Sequence, residues 1–170
     1  TPFYFEKGRF KKLKAFPEVG SSCIVPDSKG GLWFCNDQGV IYFDGEKGRL
    51  YTTEHGLAGP KVQTIYVDSG GGVWIGTKDN GINYFKNGRW ITMDRSRGLP
   101  ATDIRALVGA AGGRVVLVSF LDGVHRYENR RWFRLPTGIA GNKINAVSYA
   151  PDGSVWVGTD SGASRFYKGY

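Results

Sequence analysis

The feature that most constrains this chain is a phrase it writes four times. "KGGLWFCNDQGVIYF" (Lys29 to Phe43), "GGVWIGTKDNGINYF" (Gly71 to Phe85) and "DGSVWVGTDSGASRF" (Asp152 to Phe166) share a Gly-rich turn, a Trp, a small residue two places on, and an apolar run. A worn copy, "GGRVVLVSFLDGVHRY", runs from Gly112 to Tyr127. With Leu117 read at the Trp position, Trp33, Trp74, Leu117 and Trp156 stand 41, 43 and 39 residues apart. A period near 40 with Trp and Gly at fixed offsets predicts propeller blades of four short strands, here called a to d.

A second phrase fills the gaps: "HGLAGPKVQTIYV" from His55, "RGLPATDIRALV" from Arg97 and "TGIAGNKINAVSY" from Thr137. In the unit around Trp74, residues 61–67 read as strand a, 73–77 as b, 82–85 as c and 89–94 as d. "KNG" (Lys86 to Gly88) gives the Asn-Gly hairpin signal between c and d. Apolar residues at helical spacing are not sustained over three turns, so an all-β reading follows. The whole chain, 1–170, reads as one β-propeller or propeller segment. Its repeats span roughly 15–54, 55–95, 96–135 and 136–170, and the strands of 1–14 complete a blade. A b–c hairpin and a d–a connection share one face of such a fold; a–b and c–d turns share the other.

Composition narrows the partners. The formal net charge is +8, and the basic residues gather in c–d hairpins and the following strand d: Lys7, Arg9, Lys11, Lys12 and Lys14; Lys47 and Arg49; Lys86 and Arg89; Arg130, Arg131 and Arg134. Charge on an outer strand discourages edge pairing. It also suits an anionic polymer such as a sulfated or uronic polysaccharide, with the segments 7–14 and 126–134 as expected contacts. Nucleic acid is disfavoured, since no recognition helix, zinc spacing or ribonucleoprotein motif is present. No apolar run reaches the roughly 18 residues of a membrane helix. Cys23 and Cys35 occupy positions held elsewhere by small residues and read first as compact packing groups. A cross-strand disulfide needs them in register.

Polar residues on the b–c and d–a face are the first site candidates. Asn36, Asp37, Lys78, Asp79, Asn80, Asp122, Asp160 and Ser161 fall in b–c loops, and His55, Lys61, Arg97, Asp103, Asn142 and Lys143 in d–a connections. Asp and Asn before Gly are also ordinary turn formers. Ser22, Gln63, Arg105 and Asn145 align inside strand a between apolar neighbours, and this predicts a polar ring at the central channel. The expected ligand set is therefore Ser22, Gln63, Arg105, Asn145, Lys78, Asp79, Asp160, His55 and Arg97. His55 and His125 fall at non-equivalent places, and no Ser-His-Asp set, metal cluster or phosphate loop can be pointed to. No catalytic residue, metal or cofactor is therefore expected.

"DSGGGVWIGTKDNGINYF" and "PDGSVWVGTDSGASRF", each preceded by a "GLP"-like phrase and an apolar strand, resemble the two-component regulator propeller repeat. The resemblance implies β-propeller blades of the bacterial periplasmic or extracellular sensor type, often reading glycans. It implies a non-catalytic ligand-sensing module. A protein-interaction or self-assembling scaffold is the alternative, and a lyase resembling the streptogramin lyases a further one. The chain opens on strands c (Phe3 to Phe5) and d (Arg9 to Lys14) and ends on a, b and c (Ala163 to Phe166). Its first strand d is thus expected to complete the last blade, within one chain, by exchange between two chains, or inside a larger ring. A homodimer or larger ring is the favoured form.

Overall fold

The computed structural model describes residues 3–12, 20–110, 114–119, 123–135, 138–139, 141 and 143–167. The strands run in chain order as β1 (Phe3–Glu6), β2 (Arg9–Lys12), β3 (Cys23–Pro26), β4 (Leu32–Asn36), β5 (Gly39–Phe43) and β6 (Gly48–Tyr51). Then follow β7 (Val62–Val67), β8 (Val73–Thr77), β9 (Ile82–Lys86) and β10 (Arg89–Met93). The third set is β11 (Ile104–Ala110), β12 (Arg114–Ser119), β13 (Gly123–Glu128) and β14 (Arg131–Arg134). The last is β15 (Ile144–Tyr149), β16 (Val155–Thr159) and β17 (Gly162–Phe166). Three antiparallel four-stranded sheets, β3–β6, β7–β10 and β11–β14, are followed by the three-stranded β15–β17. These are blades 1 to 4 of an all-β propeller architecture. β1 and β2 pair with each other, and Phe5 faces Phe10 as Phe85 faces Trp90 and Tyr127 faces Trp132. The first two strands thus have the register of a c–d hairpin. Among the described residues β17 pairs only with β16.

Neighbouring blades touch chiefly through strand a, with β3 against β7, β7 against β11, and β11 against β15. Strand a is therefore the inner strand. The strand-b Trp then locks blade 1 to blade 2 and blade 2 to blade 3. Trp33 lies 5.8 Å from the Phe85 ring, and Trp90 packs into the same cluster. Trp74 lies 5.5 Å from Tyr127, with Trp132 beside it. The aromatic c–d pair of one blade so covers the Trp of the blade before it. Trp156 has no such cover among the described residues and is 41% exposed, with the Arg165 guanidinium 5.2 Å from its ring.

The second phrase of the repeat has a plain mechanical meaning. Strand d leads into one turn of 3₁₀ helix, Thr53–His55 or Arg95–Arg97, which the all-β reading did not anticipate. Gly98 closes the second of these at φ 80°, a left-handed conformation that a Cβ disfavours. Leu57 and Leu99, one residue on, drop into the core at 3% and 2% exposure. Their amides bond back to the Thr52 and Asp94 carbonyls at 3.2 and 3.0 Å.

Two expectations are corrected. The register places Val116, not Leu117, opposite the strand-a position that faces Trp74 and Trp156: the pairs are Tyr66 with Trp74, Val108 with Val116, and Ser148 with Trp156. Side-chain bulk suggested Leu117, but pairing is fixed by the hairpin, and a one-residue slip exchanges the faces of a strand. The same shift puts Val118 at the position of Cys35, Gly76 and Gly158. Cys23 and Cys35, read first as packing residues, sit directly opposite each other on β3 and β4 and form a disulfide.

Candidate functional site

Strand a carries the same irregularity in three blades. The ladder shifts between Val62 and Thr64, between Ile104 and Ala106, and between Ile144 and Ala146. The extra residue in each β-bulge is Gln63, Arg105 or Asn145. The cause is legible in the apolar spacing. Val62 and Ile65, like Ile104 and Leu107, are both buried though three residues apart. Strict alternation would send them to opposite faces, and one inserted residue restores them to the core. The residue so inserted is half-buried at Gln63 and exposed at Arg105 and Asn145. Ser22 occupies the corresponding place just before β3, exposed, with its amide bonded to the Cys35 carbonyl at 3.1 Å.

Asp103 joins two of these residues across blades. Gln63 Nε2 donates to Asp103 Oδ1 at 3.3 Å, and Arg105 Nη2 to Asp103 Oδ2 at 3.1 Å. The b–c loops sit at the same end. The Lys78 amide bonds the Lys61 carbonyl at 2.9 Å, and in blade 4 the Asp160 amide bonds that of Lys143 at 3.1 Å. Each b–c loop is thereby tied to the start of its own strand a. Gly81 then donates to Thr102 of the next d–a connection at 3.0 Å. Lys61, Lys78, Asp79, Asn80, Lys143, Asp160 and Ser161 are all exposed there.

Other candidates serve local structure. His55 accepts the Thr52 amide at its Nδ1, 3.1 Å away, and Arg97 Nη1 donates to the Thr92 carbonyl at 2.8 Å. Both follow strand d, the outermost strand, and so stand apart from the inner bulges. Asn36 is buried, donating to the Gly20 carbonyl at 2.5 Å and accepting the Gln38 amide at 2.7 Å. Asp37 is exposed, and His125 is buried within β13. Asp122 and Asn142 lie outside the described residues, as does Lys14. The described basic residues Lys7, Arg9, Lys12, Lys47, Arg49, Lys86, Arg89, Arg130, Arg131 and Arg134 are exposed along the c–d turns and outer strands. Among the described residues no group of His, Cys, Asp and Glu could hold a metal.

The opposite face, passed over in the sequence, is built on aspartates. Asp68 accepts the amides of Gly70 and Gly72 at 2.9 and 2.7 Å on one oxygen. Its other oxygen accepts Trp74 Nε1 at 3.2 Å and the Tyr84 hydroxyl at 3.1 Å. Asp27 does the same for Lys29, Gly31 and Tyr42 in blade 1. In blade 4 the aspartate moves to Asp152 and its strand-c partner becomes Arg165. The signal available in the sequence was an Asp six residues before Trp33 and before Trp74. Between blades 1 and 2 on this face lies a groove of about 430 Å³.

Burial, then the negative charge and hydrogen bond of Asp68, push the Tyr84 hydroxyl up to about 12. The folded value exceeds that of free tyrosine, so the neutral hydroxyl is the form the fold favours. This contribution is fully present below about pH 10 and is lost as pH rises through about 12. Replacing Tyr84 with Phe should flatten the fall in stability between pH 10 and 12, measured by urea denaturation at each pH. An unchanged slope would remove Tyr84 as its source.

Fold and blade repeats together define a β-propeller domain. Residues 56–79 and 138–161 match the two-component regulator propeller family. Among solved structures it is similar to the extracellular domain of a putative hybrid two-component system from B. thetaiotaomicron. That likeness has a TM-score of 0.73 at 22% identity, over 85% of this chain and 21% of that one. It is also similar to PorZ, a surface component of the type-IX secretion system of Porphyromonas gingivalis. There the TM-score is 0.69 at 17% identity, over 86% of this chain and 25% of that one. A third likeness is to virginiamycin B lyase from Staphylococcus aureus, with a TM-score of 0.65 at 18% identity, over 89% and 56%. At such identities the likeness is one of fold. The chain spans about a fifth of the length of that extracellular domain. No curated protein matches its sequence.

Proposed function

We propose that this chain is a non-catalytic ligand-binding propeller module of an extracellular or periplasmic sensor, and that its ligand is an anionic glycan. The observation that carries the reading is the bulge repeated in three inner strands, which sets Gln63, Arg105 and Asn145 out of the apolar register. Bulges re-aim side chains and are common beside functional sites. At that end Lys61, Lys78, Lys143 and Arg105 offer cations beside Asp79, Asp103 and Asp160, and a net charge of +8 steers anions toward the molecule. No helix among the described residues is long and apolar enough to cross a membrane. A lyase reading draws less support, because His55 is engaged with Thr52 and His125 is buried.

The test is calorimetric titration of heparin fragments and oligogalacturonate into the wild type and a Gln63→Ala/Arg105→Ala double variant. The variant should bind at least tenfold more weakly, with its thermal unfolding unchanged. Binding should also weaken between low salt and 0.15 M, where exposed charges are screened beyond about 8 Å. Equal affinity of the two proteins would remove the bulged residues from the site.

A further inference from the structure

The groove between blades 1 and 2 opens on the face opposite the bulged residues. One wall is the a–b turn of blade 1, with Ser28 and Lys29. The other is the a–b and c–d turns of blade 2, with Gly70 and Lys86. The walls come close where a Cβ on Gly71 would lie 3.8 Å from Ser28 Oγ. Its floor is aromatic: Trp33, Tyr42, Tyr51 and Phe85 line it, with ring centroids 4.6 to 6.1 Å from that of Trp33. A volume of about 430 Å³ falls within the range of roughly 300–1,000 Å³ typical of small-molecule sites.

Two observations point to a ligand. The first is the indole N–H of Trp33. Trp33 is 3% exposed, and its Nε1 has no hydrogen-bond partner. The equivalent Trp74 gives its Nε1–H to Asp68. A buried N–H left unpaired costs free energy that an acceptor on a ligand would recover. The second is charge. Lys29 and Lys86 stand on opposite walls, and neither makes an ion pair among the described residues. Lys86 lies over Gly70, where a Cβ would meet its Nζ at 2.9 Å. The one carboxylate in the lining, Asp27, already accepts two backbone amides and the Tyr42 hydroxyl. Lys29 and Lys86 thus stand as two cations on facing walls, with Asp27 already engaged and Asp68 Oδ1, 3.3 Å from the same Gly70 Cβ position, already bonded to the Gly70 and Gly72 amides.

We infer that this groove is a binding site for a ring carboxylate: a six-membered ring laid on the Tyr42, Tyr51 and Phe85 rings, with its carboxylate between Lys29 and Lys86. An oxygen on the ring accepts the Trp33 N–H once the indole turns toward the groove, since its Nε1 is buried. Two sources share this chemistry, a uronic sugar and an aromatic acid. The site is independent of the bulged residues on the other face.

Galacturonate, 4-hydroxybenzoate and uncharged galactose, titrated separately and followed by amide chemical shifts, test the assignment. At least one of the two carboxylates should bind and shift the amides of Lys29, Gly70 and Lys86, with galactose at least tenfold weaker. Preference for galacturonate assigns a saccharide, and preference for 4-hydroxybenzoate an aromatic acid. Lys29→Met and Lys86→Met should each weaken binding about tenfold while leaving thermal unfolding in place. Gly70→Ala, which displaces the Lys86 ammonium, should weaken it as well. Absence of binding by both acids at millimolar concentration overturns the inference. So do shifts confined to Gln63 and Arg105, or lysine variants that bind as the wild type does.

Discussion

Replacing Gly39 with Ala is expected to lower the stability of the chain by about 3–4 kcal/mol, through backbone overlap. Gly39 opens β5 at φ 152°, and a Cβ built on it would stand 2.0 Å from the Tyr51 carbonyl oxygen and 3.1 Å from its carbon. Both are main-chain atoms of the neighbouring strand, so no rotamer change relieves the overlap. The hairpin joining Asn36 to Gly39 must open, and Asn36 then loses its bond to the Gly20 carbonyl. Tyr51, which packs between Trp33, Phe85 and Trp90, is displaced with it. For a domain of this size each kcal/mol shifts the midpoint by about 2–4 °C, so thermal unfolding should fall by roughly 6–16 °C. Gly45→Ala separates sterics from conformation, because its φ is 101° and a Cβ there meets nothing within 4 Å. It should cost only the left-handed strain, about 1–2 kcal/mol. If calorimetry finds both variants unfolding at the same temperature, backbone overlap is not what holds Gly39.

What could be read before the structure depended on which physical signal each element left in the chain. The strands of blade 2 were legible nearly to the residue, since β7 to β10 are short β-branched runs cut by Gly and Asn. The bulges were written there too. Val62 with Ile65, and Ile104 with Leu107, are apolar pairs at a spacing that a straight strand cannot bury on one face. The polar residues between them were noticed, but the spacing that explains them was not. The third blade misled because side-chain bulk was taken for register, and Leu117 is one residue from the paired position held by Val116. The groove left no local signature at all. Its walls are turns of two blades some 40 residues apart, made of Ser, Gly, Lys and Asn that suit any turn. Its orphaned Trp33 N–H is visible only beside the paired one of Trp74.

The disulfide should contribute about 3 kcal/mol to folding, and its loss should be the second large effect. Cys23 and Cys35 are partners across β3 and β4, separated by 12 residues in sequence. A crosslink closing so short a loop restrains the unfolded chain by about that amount in the chain-entropy account. The site was already prepared for contact. In blade 2 the same cross-strand position pairs Thr64 with Gly76, and a Cβ on that glycine would meet the threonine methyl at 2.6 Å. In blade 1 the bond takes this space, and Cys35 is wholly buried. A Cys23→Ala/Cys35→Ala double variant should therefore unfold roughly 6–12 °C lower than the wild type. Thiol trapping of the wild type under native conditions should be slow, because reductant reaches the bond only when β3 or β4 opens. Disulfides persist in oxidising compartments, so protein made in a reducing cytosol should carry two free thiols and melt near the double variant. Oxidation of that protein should then restore the higher midpoint. Equal midpoints with and without the bond would show that blade 1 is held by packing alone, with Trp33, Val40 and Ile75 sufficient beneath it.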